Sequence, residues 1–155
     1  MAAGTLITLW LLHGVNLDML GTRDPAHYGT LTLLELEAFV AERGAEHGFA
    51  VEAFQTNHEG ELIEKLHDIA RNGGGAVLIN PGAWTHYSYA LRDALELVRA
   101  PVAEVHLSDV EQREEWRRHS VIADVADVRV LGKGAAGYAE AVEALARLVG
   151  GGAPR

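Results

Sequence analysis

Cysteine is absent from the 155 residues, which excludes a disulfide framework, a thiolate nucleophile and any cysteine-ligated metal. Basic residues are scarce. Thirteen Lys and Arg stand against 22 Asp and Glu, a formal net charge of −9, and that balance argues against a general nucleic-acid or anionic-membrane binder. It leaves room for a small anionic substrate held by a few local arginines. No apolar run approaches the roughly 20 residues of a membrane helix. No basic residue precedes the apolar run near the amino terminus and no small-residue cleavage site follows it, so the chain is expected in the cytoplasm. The phosphate-cradling signatures are missing too: there is no G-x-x-x-x-G-K-[ST] and no G-x-G-x-x-G after the first apolar run, and Gly132-Lys133-Gly134 reads as a turn. The eight histidines are scattered, with no H-E-x-x-H, so no metal site is expected.

What remains is an ordinary globular composition, 48% hydrophobic and 23% charged, and one domain spanning residues 1–155 is the expectation. Short apolar runs alternate with longer amphipathic ones. Thr5–Leu12, Ala50–Gln55, Ala76–Ile79, Val102–His106 and Val125–Val130 read as strands. Leu31–Glu46, Gly60–Arg71, Tyr87–Val98, a short piece near Val110–Arg118, and Ala136–Val149 read as helices, with Gly48 and the run Asn72–Gly75 as stops. Gly150–Arg155 is expected to be a frayed tail. Five strands alternating with helices predict a doubly wound α/β sandwich on a mostly parallel sheet. Fully apolar strands such as AVLI fit parallel strands covered on both faces.

In such a sheet ligands bind outside the carboxyl ends of the strands, where the strand order reverses. Four strand ends carry amides or imidazoles: His13-Gly14-Val15-Asn16, Thr56-Asn57-His58, Asn80 through His86, and Glu104 through Asp109. The long loop Asp18–Thr30, expected to lack a helix of its own, reads as a lid with Arg23 and Tyr28 as working residues and glycines at its ends as hinges. The alternative is a solvated loop in which Tyr28 only packs on the domain. His86 and Asp93, seven apart in an expected helix, would share one face. Alternatively His86 bonds to backbone and Asp93 is a surface charge beside Arg92. Glu104 and His106 share a strand face, and a carboxylate beside an imidazole suits a general acid, although a buried, merely hydrogen-bonded histidine would look the same. Arg113, Arg117, Arg118 and His119 form a basic cluster from which one arginine could clamp a carboxylate. The others read as surface or subunit-contact charges.

Taken together these residues resemble a family. The run LLHGVNLDMLGTRDPAHYG is similar to the amino-terminal signature of the type II 3-dehydroquinate dehydratases, whose usual form is close to LNGPNLNLLGxREPxxYG. QTNHEGELI, INPGAWTHYSYALRDAL, EVHLSD, REEWRRHS and GKGAAGY follow in the family's order, so the resemblance runs from about Leu6 to Leu148. It implies a flavodoxin-like fold with five parallel strands. It also implies dehydration of 3-dehydroquinate to 3-dehydroshikimate by anti elimination through an enolate, with no cofactor or metal, in aromatic biosynthesis or quinate breakdown. Carried over by motif, Tyr28 matches the base and Arg23 the lid arginine that holds it as tyrosinate. His106 matches the acid, Glu104 its neighbour, and Asn16 the amide that stabilises the enolate through a water. Asn80, His86, Asp93, Leu107, Ser108 and Arg117 match substrate-binding positions, the aspartate coming from a neighbouring subunit of a trimer. Trimers assemble into a dodecamer in the family, so a homo-oligomer is implied. The chain departs from the family pattern at His13, Val15, Asp24, Trp84, Tyr87, Tyr89, Asp109 and Glu111. Two rival expectations are a paralogue acting on a related cyclic hydroxy-acid and a non-catalytic flavodoxin-like binding protein.

Overall fold

In the computed structural model, which describes residues 4–22 and 24–151, five parallel strands form one sheet. They are β1 (Ile7–His13), β2 (Phe49–Gln55), β3 (Ala76–Asn80), β4 (Val102–His106) and β5 (Val128–Leu131), in the order β2-β1-β3-β4-β5. The helices are α1 (Pro25–Tyr28), α2 (Leu33–Glu46), α3 (Glu59–Asn72), α4 (Tyr89–Leu97) and α5 (Ala135–Gly151). This is the doubly wound α/β architecture expected from the alternating runs, and the strand order reverses between β1 and β3.

Successive strand residues point to opposite faces, and the burial follows that rule. Leu9 and Leu11 of β1, Leu78 of β3, and Ala103 and Val105 of β4 pack with Leu36 and Val40 of α2 and with Tyr138, Val142 and Leu145 of α5. Leu12, Val77, Ile79 and Val102 face the other way, onto Leu62 and Leu66 of α3 and Leu91 and Leu95 of α4. β3 and β4 are buried at every position, as strands covered on both faces must be. Each leucine fully buried on either face of the sheet contributes roughly 1.5–3 kcal/mol. Among the described residues no helix is long and apolar enough to cross a membrane.

Local chemistry sets several boundaries. Thr32 and Glu35 form a reciprocal capping box at the start of α2, with Glu35 N donating to Thr32 Oγ1 at 3.2 Å and Thr32 N to Glu35 Oε2 at 2.9 Å, so this helix starts at Leu33 rather than Leu31. The loop expected to lack a helix holds a 3-10 turn, Leu17–Met19, and the one-turn α1. Pro25 starts α1, and the Asp24 carboxylate accepts from Ala26 N at 2.9 Å. Gly21 and Gly29, the expected hinges, both have positive φ. Arg23 lies outside the described residues, as do residues 152–155 of the expected frayed tail. Gly150 and Gly151, assigned to that tail, instead complete α5.

The expected helix Tyr87–Val98 is two pieces. A 3-10 turn covers Gly82–His86, and Ser88, accepting from Leu91 N at 3.0 Å, caps α4. The expected helix near Val110–Arg118 is likewise two 3-10 turns, Val110–Gln112 and Glu115–Arg117, separated by an extended Arg113. β5 begins at Val128, three residues later than Val125, because Val125 N and Ala126 N bond to the Ile122 carbonyl in a turn.

Candidate active site

The carboxyl ends of β1, β3 and β4 surround a cavity of about 120 Å³. Asn16, Tyr28, Asn80, His86, His106, Ser108, Arg113 and Arg117 supply its polar wall. Leu107 and Val15 also line it, and Trp116 stands at its exposed rim.

The floor is held by a close approach of two backbones. Gly14 N donates to the Asn80 carbonyl at 2.7 Å, and a Cβ on Gly14 would lie 2.2 Å from the Pro81 carbonyl oxygen. Only glycine fits between the end of β1 and the turn after β3. Two residues on, Asn16 has φ 68°, a left-handed conformation that asparagine tolerates better than most residues. Asn57, at the end of β2, accepts from Asn16 N at 2.8 Å and donates to Asp18 at 3.1 Å. The fourth strand end is therefore a buttress for Asn16, and Asn57 does not line the cavity. Asn80 is oriented by two partners, accepting from Gly82 N and donating to the Tyr138 hydroxyl, both at 3.1 Å. Full burial pushes the Tyr138 phenol above its ordinary range, so it stays neutral.

Tyr28 reaches the cavity from α1. Its hydroxyl accepts from Arg113 Nη1 at 2.7 Å, and the Arg113 guanidinium carbon lies 5.2 Å from its ring centre. The described cation on the lid tyrosine is thus Arg113, which the sequence pattern grouped with surface or contact charges. It reaches inward because the break between the two 3-10 turns directs it across the cavity rather than along one helix face with Arg117.

His106 ends β4 and is buried, with Nε2 at 2.6 Å from Glu104 Oε2. Glu104 is itself wholly buried. Its carboxylate also accepts from Thr85 Oγ1 at 2.6 Å, Ser120 Oγ at 3.1 Å and Arg129 Nε at 3.1 Å. Burial works against the charge of Glu104. Hydrogen bonds from His106 and Thr85 and the charges of His106 and Arg129 outweigh it, and hold the carboxyl below the ordinary carboxylate value. An ionised Glu104 requires a proton on His106 Nε2, which leaves Nδ1 for the cavity.

A stability prediction follows from the sign of that shift. A depressed folded-state pKa contributes stability that is complete above the unfolded value and is lost as pH falls through the folded one. Glu104→Gln should therefore be less stable than the parent at neutral pH, with the gap narrowing as melts are taken below about pH 4.5. A gap of constant size would mean that Glu104 is not the titrating group.

His86 lies in the 3-10 turn, not in α4, so the seven-residue helical spacing to Asp93 does not apply. His86 lines the cavity, whereas Asp93, exposed on α4, does not. Asp93 is thus a surface charge beside Arg92, and Arg92 itself pairs with Asp124 and Glu96. His86 donates from Nδ1 to the His119 carbonyl at 2.7 Å. Desolvation, with help from the charges of His106 and Arg117 and against the His119 bond, lowers its pKa, so near neutrality it is an uncharged acceptor at Nε2. Trp116 meets the His86 ring edge-on at 5.3 Å and lies 4.0 Å beneath the Arg117 guanidinium carbon. Arg117 is further fixed by Glu114, 2.6 Å from its Nε.

The departures from the family pattern fall mostly outside the cavity. His13 is fully buried with its Nε2 3.3 Å from Glu37 and neither ring nitrogen hydrogen-bonded. Tyr87 and Tyr89 are exposed and Trp84 is buried. Asp109 caps the 3-10 turn Val110–Gln112 by accepting from Glu111 N at 3.1 Å, and Glu111 faces Arg129 at 3.7 Å. Neither acid lines the cavity. Among the described residues no group of three or more His, Asp or Glu is arranged to hold a metal ion. Arg113, Trp116, Thr85, Ser120 and Arg129 were not singled out individually from sequence; for Arg113 the only signal was the basic cluster.

The chain and its fold are similar to known proteins. The family model for class II dehydroquinase matches residues 7–146. The 3-dehydroquinate dehydratase of Pelobacter propionicus is 51% identical over 142 residues, covering 92% of this chain and 95% of that protein. The catabolic 3-dehydroquinase of Talaromyces marneffei is 46% identical over 136 residues, covering 88% and 77%. Among solved structures, the type II dehydroquinase from Propionibacterium acnes superposes with a TM-score of 0.86 at 41% identity, covering 90% of this chain and 95% of that one. With its sheet order, its strand-end cavity and a family match over most of its length, the chain belongs to the type II 3-dehydroquinate dehydratases, which are hydro-lyases.

Proposed function

We propose that this single-domain protein dehydrates 3-dehydroquinate to 3-dehydroshikimate by anti elimination through an enolate, using its own side chains alone. The observation that carries the reading is that one cavity is lined by a phenol under a guanidinium (Tyr28 and Arg113) and an imidazole on a buried carboxylate (His106 and Glu104). These are a stabilised base and an oriented acid.

Tyr28, as phenolate, takes the proton alpha to the ketone, and Arg113 stabilises the negative oxygen. Family resemblance assigns the same task to Arg23, which lies outside the described residues. The electron pair left behind becomes the enolate, which Asn16 stabilises through an ordered water. Collapse of the enolate breaks the carbon–oxygen bond. His106, protonated on both ring nitrogens, gives its Nδ1 proton to the departing hydroxyl and keeps the one shared with Glu104, so that water leaves and the ring gains a conjugated double bond. Asn80, His86, Leu107, Ser108 and Arg117 hold the substrate, and Asp93 completes the site of a neighbouring copy in a homo-oligomer, a dodecamer built from trimers. This reading places the enzyme in the cytoplasm.

The direct test is turnover of 3-dehydroquinate, followed by the ultraviolet absorbance of the enone product. No turnover together with clear thermal stabilisation by the same compound would point instead to a retained pocket with different chemistry. Arg117→Ala should raise KM or weaken ligand binding by about 2 kcal/mol or more, since a desolvated charge-assisted clamp is removed. Unchanged KM and kcat in that variant would remove Arg117 from the substrate site.

A further inference from the structure

Of the partners of Glu104 only His106 lines the cavity, and one of the others is a charged group. Arg129 pairs with Glu104 in the β4–β5 register and donates from Nε to Oε1 at 3.1 Å. Arg129 does not line the cavity, its side chain is only 22% exposed, and its Nη2 is buried without a hydrogen-bond partner. Such a placement is costly, because a guanidinium loses hydration and one of its donors goes unmet. β5 is otherwise Val128, Val130 and Leu131, and packing alone asks for an apolar residue at 129.

We propose that Arg129 is a positioning residue for the proton donor, occupying the outer oxygen of Glu104 so that the inner oxygen is turned to His106. The division of the carboxylate supports this. Arg129 is on Oε1 alone and Thr85 and His106 are on Oε2, while Ser120 Oγ lies between the two, 3.1 Å from Oε1 and 3.3 Å from Oε2. With Oε1 engaged the group stays ionised and cannot rotate, His106 keeps one proton on Nε2, and Nδ1 faces the substrate carrying the second proton, the one given to the leaving hydroxyl. The charged and titratable groups around Glu104 are His106 on its own strand, His86 from the turn after β3 and Arg129 from β5, with Glu111 behind Arg129 and Arg117 behind His86. Removing Arg129 thus takes away the one permanent cation in contact with the carboxylate among the described residues.

The inference rests on His106 being the proton donor, and the experiment separates the two. Arg129→Val and Arg129→Lys would be compared with the parent for 3-dehydroquinate turnover across about pH 5–9, with melting curves alongside. In the valine variant kcat should fall about tenfold with KM within about twofold, and the acid limb of the kcat profile should move up by about half a unit or more, because Glu104 then protonates more readily. The lysine variant should restore much of both. An unchanged profile, or a lowered melting temperature with kcat intact, would overturn the role. If the valine variant does not fold, Arg129→Gln replaces it, keeping a hydrogen bond and losing the charge. Imidazole nitrogen NMR reads the same point without turnover. At the alkaline end of the range, where the ring has given up its Nδ1 proton, the parent should hold His106 as the Nε2–H tautomer and the valine variant should mix tautomers, whereas identical spectra would count against the inference. Absent turnover by the parent with these spectral changes present would sink the reaction and leave the positioning intact.

Discussion

Tyr28→Phe is expected to lower kcat by at least about 10³-fold while leaving the melting temperature and the affinity for 3-dehydroquinate close to the parent's. The hydroxyl removed is the only proton acceptor that α1 sends into the cavity among its described side chains. Phenylalanine keeps the ring and its packing against Leu107-side core residues, so little volume is lost. Arg113 loses a partner at 2.7 Å but retains Ser108 Oγ at 3.5 Å and Glu114 at 3.9 Å, which limits the cost of that loss. Steady-state kinetics and ligand-induced melting shifts, measured on the same preparation, check both halves. Turnover within tenfold of the parent would remove Tyr28 as the base. A collapse of ligand affinity alongside turnover would recast it as a binding group.

Gly14→Ala should act through the backbone and should damage both folding and chemistry. The new methyl carbon would sit 2.2 Å from a carbonyl oxygen, with the Pro81 carbonyl carbon at 2.4 Å, far inside contact distance, and neither side of the clash is a flexible side chain. Overpacking of this kind costs about 3 kcal/mol, which for a domain of this size lowers the melting temperature by about 6–12 °C. Relief can come only by separating the end of β1 from the turn after β3. That movement breaks the Gly14–Asn80 hydrogen bond and displaces Asn16 and Asn80 together. Protein that still folds should therefore show a kcat loss of about 10²-fold, the size expected when catalytic groups shift by about an ångström. A parental melting curve with parental kinetics would show that the loop opens at no cost.

How legible each part was depends on how local its cause is. The strands and their burial were readable because a parallel strand covered on both faces must be apolar throughout, and Ala76–Ile79 and Val102–Val105 are. The pairing of Glu104 with His106 was readable because two residues on one strand face need no knowledge of the fold. The helix containing His86 and Asp93 was misread because a capped break at Ser88 hides inside a continuous apolar rhythm, and the piece near Val110–Arg118 because 3-10 turns have no lasting period. The partnership of Tyr28 with Arg113 spans 85 residues and that of Glu104 with Arg129 spans 25. Both arise from strand order and register, which one sequence does not display. The roles of Asn57, Thr85 and Ser120 were hidden for the same reason, since each acts on a residue from another element.

The all-parallel sheet also has a kinetic consequence. Every strand pairing must wait for a helical crossover, and the strand at the middle of the site, β1, is flanked by β2 and by β3, never by a hairpin partner. Contacts of such long sequence separation make folding slow, because loop closure is lost before pairing rewards it. On a ribosome Tyr28 emerges long before Arg113, and Glu104 before Arg129, so the early chain carries a buried-type carboxylate and apolar strands with their partners still unsynthesised. The active site is consequently among the last features to form, and gain of activity during refolding should lag behind gain of helix.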